Sequence, residues 1–241
     1  MGPIKVIINK ELKIGFNSFF IYIVYATFFC ITGFVCWFSG ENVFSTGQAS
    51  LGNLFNVFYW TLFLLIPALT MKSISEEQKE GTLELLFSKS IKTWQLIMGK
   101  FFAIFLQVLL CLMLTLPYYI TIASLGHIDH AVGFCGYFGL ILISSAYISI
   151  GIFASSITTN PIVAFFGALA IEITFAFIFE FIAGLGSGFF TALFTYLSLE
   201  EHFDAISRGV IDSKDLIYLV SVTIAFLALT RHYVCKNRLN Q

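Results

Sequence analysis

The sequence predicts an all-α membrane protein with six transmembrane helices, and three observations predict it. First, 58% of the 241 residues are hydrophobic and only 11% are charged, with a mean hydropathy of +0.90. A soluble domain carries about 25% charged residues, so most of this surface must be solvated by lipid. Second, six apolar stretches, at 18–39, 54–71, 101–122, 133–155, 161–184 and 216–234, come close to or exceed the roughly 20 residues that a helix needs to cross ~30 Å of hydrocarbon. Third, the basic residues are segregated. With six spans, eleven of the 13 Lys and Arg fall on one side: Lys5, Lys10 and Lys13 before the first span, Lys72, Lys79, Lys89, Lys92 and Lys100 between the second and third, and Arg231, Lys236 and Arg238 at the C-terminus. Only Arg208 and Lys214 face the other side, among Glu41, Asp129, Glu200, Glu201, Asp204, Asp212 and Asp215. Basic flanks stay on the cytoplasmic side, so both termini are expected inside, whereas five or seven spans would put one basic tail outside. The whole chain, 1–241, reads as a single transmembrane domain.

Residues 3–17 interleave Ile4, Val6, Ile7, Ile8, Leu12, Ile14 and Phe16 with Lys5, Lys10 and Lys13, the pattern of a helix lying in the inner interface with its apolar face down. The first span outruns the roughly 7–15 apolar residues of a signal peptide and lacks a small-residue cleavage site, so it is expected to stay in the membrane. In the second, Asn53 and Asn56 crowd the outer end and Pro67 the inner one. Pro67 and Pro117 each remove a backbone donor and are expected to kink their helices. Gly133, Gly136 and Gly139 suit close helix packing. Residues 185–200 are apolar but follow the helix-breaking run Gly184-Leu-Gly-Ser-Gly188, and too few residues remain before Glu200-Glu201 to cross and return. An outer re-entrant or interfacial hairpin packed on protein is expected there.

No enzymatic signature is present. Gly99-Lys100 resembles only the end of a phosphate-binding loop: Trp94 stands where its first glycine belongs and Phe101 replaces the Ser or Thr, so ATP is not bound that way. His127-Ile-Asp-His130 offers three metal-ligand types, but a solvated loop is the simpler reading. Cys30, Cys36, Cys111, Cys135 and Cys235 form no C-x-x-C pair and read as small buried hydrophobes. No catalytic residue, metal or cofactor is expected, and nucleic acid is not an expected partner.

Residues 72–100 hold the densest block of charge. Ser75 is expected to N-cap a helix with Gln78 completing a capping box, and Glu76, Glu77 and Glu80 lie in the first turns, where the helix dipole favours anions. Leu83, Leu86 and Phe87 give an apolar face, Gly81-Thr82 introduces a bend, and Trp94 and Ile97 read as interfacial anchors leading into the third span. Two readings remain open from the residues alone: a half-solvated surface helix, or an element on which a partner docks.

The run Met71-Lys-Ser-Ile-Ser-Glu-Glu-Gln-Lys-Glu-Gly-Thr-Leu-Glu-Leu-Leu-Phe-Ser, followed by Trp94-Gln-Leu-Ile-Met-Gly-Lys-Phe, resembles the first cytoplasmic loop of ABC-2 type transporter permeases. Lys72 stands where Arg is common in that family, keeping the charge but losing the fork geometry, and Ser90 stands where Pro is common. The resemblance implies the type V exporter-like fold, with six spans, a cytoplasmic coupling helix and an outer re-entrant hairpin before the last span. It implies no catalysis by this chain: a separate ABC ATPase subunit binds ATP and seats on the coupling region, here Lys72, Glu76, Glu77, Glu80, Gly81, Thr82, Leu83, Glu84, Leu86 and Phe87, with the glutamates making charged contacts and Leu83, Leu86 and Phe87 the apolar anchor. It also implies a second permease subunit, identical or related, in the inner membrane of a bacterial cell. Residues 199–218 resemble the last outer loop of the gliding-motility permeases of Bacteroidetes-type bacteria, which implies a possible accessory gliding-motility membrane protein.

Glu172 lies mid-span in the fifth stretch and Glu180 two turns further out. A charge at the bilayer centre costs on the order of 3 kcal/mol, so Glu172 is expected to face the bundle interior. It is either a polar point on a transport path or permease interface, or a neutral hydrogen-bonded packing residue. Two rival functions remain at this stage: a proton-coupled secondary transporter working through Glu172, and a non-transporting scaffold of a motility complex.

Overall fold

The computed structural model describes residues 2–38, 51–83, 92–126, 128–185 and 188–239. Among them every regular element is helical. Helix α1 (Pro3–Asn17) starts with proline in its first turn, where the missing N–H has no intrahelical partner to lose. Ser18, in extended conformation, separates α1 from α2 (Phe19–Phe38). Helix α3 (Leu51–Thr70) carries Pro67 in its last turn and continues through turns at 71–74 into the short α4 (Ser75–Lys79). The third span is two pieces, α5 (Thr93–Met113) and α6 (Leu116–Leu125), broken at 114–115 just before Pro117. Then come α7 (His130–Ile157), α8 (Pro161–Ile173), one π-helical turn at Thr174–Ile178, and α9 (Phe179–Leu185). Helices α10 (Phe189–Leu197), α11 (Leu199–Ser207) and α12 (Ser213–Leu239) complete the chain.

Among the described residues, six helices are long and apolar enough to cross a membrane: Phe19–Phe38, Leu51–Lys79, Thr93–Leu125, His130–Ile157, Pro161–Gly184 and Ser213–Lys236. The third begins at Thr93 rather than at 101, because residues 93–100, which mix Thr93, Gln95 and Lys100 with Trp94, Leu96, Ile97 and Met98, continue the same helix. Ile97 is therefore fully buried instead of being an interfacial anchor, whereas Trp94 remains partly exposed. The chain forms a helical hairpin from α9 and α10, so that residues 185–200 supply its second arm and only the last residue of its first: Gly188, at φ 79°, precedes α10, which packs back on α9. Helix α11 follows and lies on α7 and α12. Its Leu199, Phe203 and Ile206 are buried, at the i, i+4, i+7 spacing of a one-sided apolar stripe.

Helix α7 is the centre of the bundle. Helices α3, α5, α8, α11 and α12 all pack on it, and 72% of its most apolar window is buried, against 28% for α2 and 22% for the fifth span. Its small residues make this possible, since without Cβ branches neighbouring backbones and rings approach closely. The Phe55 ring occupies the place of a Cβ on Gly136, Tyr119 that on Gly133, and Thr70 that on Gly151. The buried hydroxyls do not disturb this packing, because Ser144 and Ser149 donate back to the carbonyls of Leu140 and Ala146 within their own helix. Helix α1 approaches α5 by the same means: Ile7 sits where Gly99 would carry a Cβ, and Gly15 lies against the Gln107 amide.

Replacing Gly151 with Val should overpack the α3–α7 contact by about 1–3 kcal/mol and lower the melting temperature in detergent. Gly184→Ala, with no neighbour within 4 Å, should leave it unchanged. Equal melting of the two variants would contradict this packing.

Candidate functional site

The segment from Met71 to Leu83 is held by the far end of α7. Ser155 Oγ accepts from the backbone N–H groups of Ile74 and Ser75 at 3.0 and 3.1 Å and donates to the Met71 carbonyl at 3.0 Å. Gln78 donates its amide to the Ser156 carbonyl at 3.0 Å. The expected capping box is therefore absent: Ile74 occupies the N-cap position of α4, and the buried Ser75 hydroxyl donates back to Met71 O. The reason is continuity. Helix α4 follows α3 without a fresh start, and its orphan N–H groups are capped from another helix.

Below this clasp lies a buried ionic knot. Lys100, on α5, is 2% exposed. Its ammonium is 2.9 Å from Glu77 Oε1 and 3.1 Å from Glu11 Oε1. Lys10 reaches the same two carboxylates at 3.6 and 3.9 Å. Two cations and two anions thus alternate across α1, α4 and α5. Burying such charges is expensive unless each is paired, so the knot fixes how these three helices meet. The second oxygen of Glu77 is buried without a hydrogen-bond partner among the described residues.

The expected coupling residues divide accordingly. Glu77 turns inward onto Lys100. Glu76 pairs with Lys72 at 3.8 Å, and Lys72 stands 5.3 Å from the centre of the Phe20 ring. Glu80 and Gly81 face solvent beside Lys79, with Gly81 at φ 68° making the bend that the sequence calls for. Thr82 donates to the Glu77 carbonyl at 3.4 Å, and Leu83 is half-buried against the core. Glu84, Leu86 and Phe87 lie outside the described residues. Sequence reasoning missed the parts played by Glu11, Ser155 and Ser156, and weighed Lys100 as a basic residue, as the end of a phosphate-binding loop and within the family-like run, but not as a buried ion-pair partner. The signal for the knot was a lone Glu within a lysine-rich arm and a lysine next to a glycine at the start of an apolar run.

A second polar locus lies within the bundle. Glu172, on α8, is fully buried, and among the described residues neither of its oxygens has a hydrogen-bond partner. Its carboxyl lies near enough to Tyr59 of α3 and Tyr147 of α7 to bear on both hydroxyls; the two ring centres are 6.2 Å apart, and neither hydroxyl has a hydrogen-bond partner among the described residues. The π-helical turn begins two residues later and shifts the phase of the helix; such turns gather at functional sites. Glu180 does not join this group. It is exposed on α9 and faces the charges of α11. There, burial in the first place, and then Glu180, Asp204 and Glu201, push the Glu200 carboxyl up to about 7.

Helix α11 is fastened to the last span by a third polar cluster that sequence reasoning also missed. His202 Nδ1 lies 2.7 Å from Asp215 Oδ1, its Nε2 is 2.8 Å from the Tyr196 carbonyl, and its ring stacks on Tyr218 at 4.2 Å. At the other loop, Asp129 caps α7 through the Ala131 N–H and His130 bonds the Tyr119 hydroxyl. His127 lies outside the described residues. Among those described, no cluster of three or more potential metal ligands occurs.

A family model described as "ABC-2 family transporter protein" matches residues 26–231. That match takes in four spans whole and most of the first and last, together with the clasped segment, Lys100 and Glu172. No curated protein sequence matches the chain.

Replacing Lys100 with Met should strip the knot of its buried cation and destabilise the protein by about 3 kcal/mol, read as thermal melting in detergent. The combined E11Q/E77Q/K100M variant should recover most of the loss; if it melts no higher than K100M, the cost is one of packing and not of charge. The Glu200 carboxyl makes a separate prediction. Its pKa is raised on folding, so the folded state binds its proton more tightly. Stability should then be highest below the ordinary carboxylate range, near 4.5, and fall as pH rises through about 7. Glu200→Gln should flatten that slope, and an unchanged slope would remove Glu200 as its source.

Proposed function

The chain belongs to the ABC-2 family of transporter proteins, as a multi-pass membrane permease component, and from that premise we propose that residues 72–87 receive a separate ABC ATPase whose cycle of ATP hydrolysis drives transport. The observation that carries this reading is the clasp: a short charged helix is tied to the end of the central helix α7 through Ser155 and Ser156 and to α1 and α5 through Lys100. A push on such a segment reaches the bundle through hydrogen bonds and ion pairs and is not absorbed by a slack loop. Glu76, Glu80 and Glu84 are the proposed charged contacts, with Leu83, Leu86 and Phe87 as the apolar anchor. Glu77 is assigned to transmission, since its carboxylate already serves Lys100.

The basic end of the bundle is taken as cytoplasmic, with both termini inside and the chain in the bacterial inner membrane. A second permease, identical or related, completes the pathway. The thinly covered faces of α2 and of the fifth span, with Phe34, Phe38, Phe166 and Phe181 exposed, are the surfaces a second copy would cover. The resemblance of residues 199–218 to the last outer loop of gliding-motility permeases is the ground for placing the complex in that type, with an accessory motility protein on its outer side.

Glu172 supports a second reading. A buried carboxyl near two buried tyrosine hydroxyls, in a span and without a hydrogen-bond partner among the described residues, is what a proton-coupled carrier needs. Such a carrier would require no ATPase and would lose all transport on Glu172→Gln.

Tagged purification from native membranes in mild detergent separates the two. A stoichiometric ATPase with Walker motifs is expected, and it should be lost when Leu83 and Leu86 are both replaced by Asp. Glu84→Lys should leave the complex assembled but uncouple ATP hydrolysis from transport in proteoliposomes. Recovery of a homogeneous chain with no ATPase, together with transport abolished by E172Q, would replace the ABC reading with the proton-driven one.

A further inference from the structure

On the basic side of the bundle a cleft of about 330 Å³ opens between α1, α2, the end of α3 and α5. Pockets of this size hold small ligands. Its polar floor carries Glu11, Lys72, Glu76 and Lys100, two acids and two bases, with Gln107 beside them. One flank is apolar, formed by Phe20, Ile21, Leu69 and Ile104. At its rim Ile14 is 54% exposed, an apolar side chain that needs lipid beside it. The cleft therefore has a charged bottom and a greasy edge at the level where spans meet the interface.

We propose that this cleft holds the headgroup of one phosphatidylethanolamine molecule, with its acyl chains leaving along the apolar flank. The charge balance selects the class. A site for an anionic lipid or a free phosphate would carry an excess of cations, whereas here the four charged side chains sum to zero, which matches a zwitterion. The Lys72–Glu76 pair is the part that opens. It stands at 3.8 Å with each side chain close to half exposed (45% and 46%), too long for a hydrogen bond, so an incoming headgroup can repartner both: phosphate on Lys72, ammonium on Glu76. Lys100 stays in its knot and adds field from the floor. The same chemistry disfavours choline. A quaternary ammonium offers no N–H to a carboxylate and is recognised by aromatic cages, and the Phe20 ring at this cleft already faces the Lys72 ammonium. The bound lipid would tie α1 to the base of α3, beside the clasped segment. The site is read from the chain alone and does not depend on an ATPase docking there.

The test is native mass spectrometry of the delipidated full-length chain in detergent. It is titrated separately with dioleoylphosphatidylethanolamine, dioleoylphosphatidylglycerol, dioleoylphosphatidylcholine and water-soluble phosphoethanolamine. One phosphatidylethanolamine should be retained, roughly tenfold more tightly than either other lipid, a ratio worth about 1.4 kcal/mol, and soluble phosphoethanolamine should be weaker still. Glu76→Lys, which leaves the floor with net positive charge, should reverse the preference toward phosphatidylglycerol, and Lys72→Glu should abolish retention of phosphatidylethanolamine. Equal retention of the three lipids, soluble phosphoethanolamine bound as well as the lipid, or an unreversed preference in E76K would each overturn the assignment. The wild-type titration decides the matter even if a variant fails to fold.

Discussion

Lys100 is an ammonium held almost entirely out of water, and the arrangement of one end of the molecule follows from the need to neutralise it. Left alone there it would cost several kcal/mol. Glu11 and Glu77 approach from two different elements and Lys10 balances the excess anion. The N-terminal helix, the segment after the second span and the start of the third span therefore meet at one point. Gly99 makes the approach possible, because any side chain there would displace Ile7 of α1. A charge requirement and a steric allowance at neighbouring positions do what a hydrophobic patch could not, since in lipid apolar surfaces have little reason to prefer each other over acyl chains.

The other constraint is the thinness of α7. A helix surrounded by five others must offer them backbone distance, and its glycines, alanines and serines do. Where it ends, the same small residues turn polar: Ser155 and Ser156 hand their hydroxyl and carbonyl groups to the segment that leaves the second span. The central helix and the charged segment are thus one mechanical unit. The proposed ATPase contact and the proposed lipid cleft meet at Glu76, which the fold leaves loosely paired with Lys72 at 3.8 Å. Glu77 is already committed to the knot.

The interior and the outer end follow a different logic. Glu172, Tyr59 and Tyr147 gather polar atoms without outside partners in the middle of an apolar bundle, next to a π-helical turn. At the outer end a buried His202–Asp215 contact and the stacked Tyr218 pin the short helices to the last span. The inner cluster draws on helices far apart in the chain, as the knot at the other end does, whereas the outer one joins three successive helices.

Much of the architecture was legible in the sequence because hydropathy is a one-dimensional property. Six long apolar runs, a basic side and a glycine break before the outer hairpin need no knowledge of neighbours, and helices of the expected number and approximate place follow. The resemblance carried by 71–101 points to the family, and the match over 26–231 shows it. What a charged residue does is not one-dimensional. Ser75 and Gln78 have the spacing of a capping box, but the helix they sit in does not begin there and Ser155, some 80 residues away, supplies the cap. Glu77 is one of several similar glutamates in a row until the fold sets Lys100 against it. The sequence by itself determined how many membrane-long helices the described residues form, which of their ends are basic and which family they belong to, because lipid solvation and chain-local periodicity act on each segment separately. Only the tertiary structure decided which charges are spent inside and which remain on the surface, because in a low-dielectric interior the fate of a charge is set by partners that the chain brings from elsewhere.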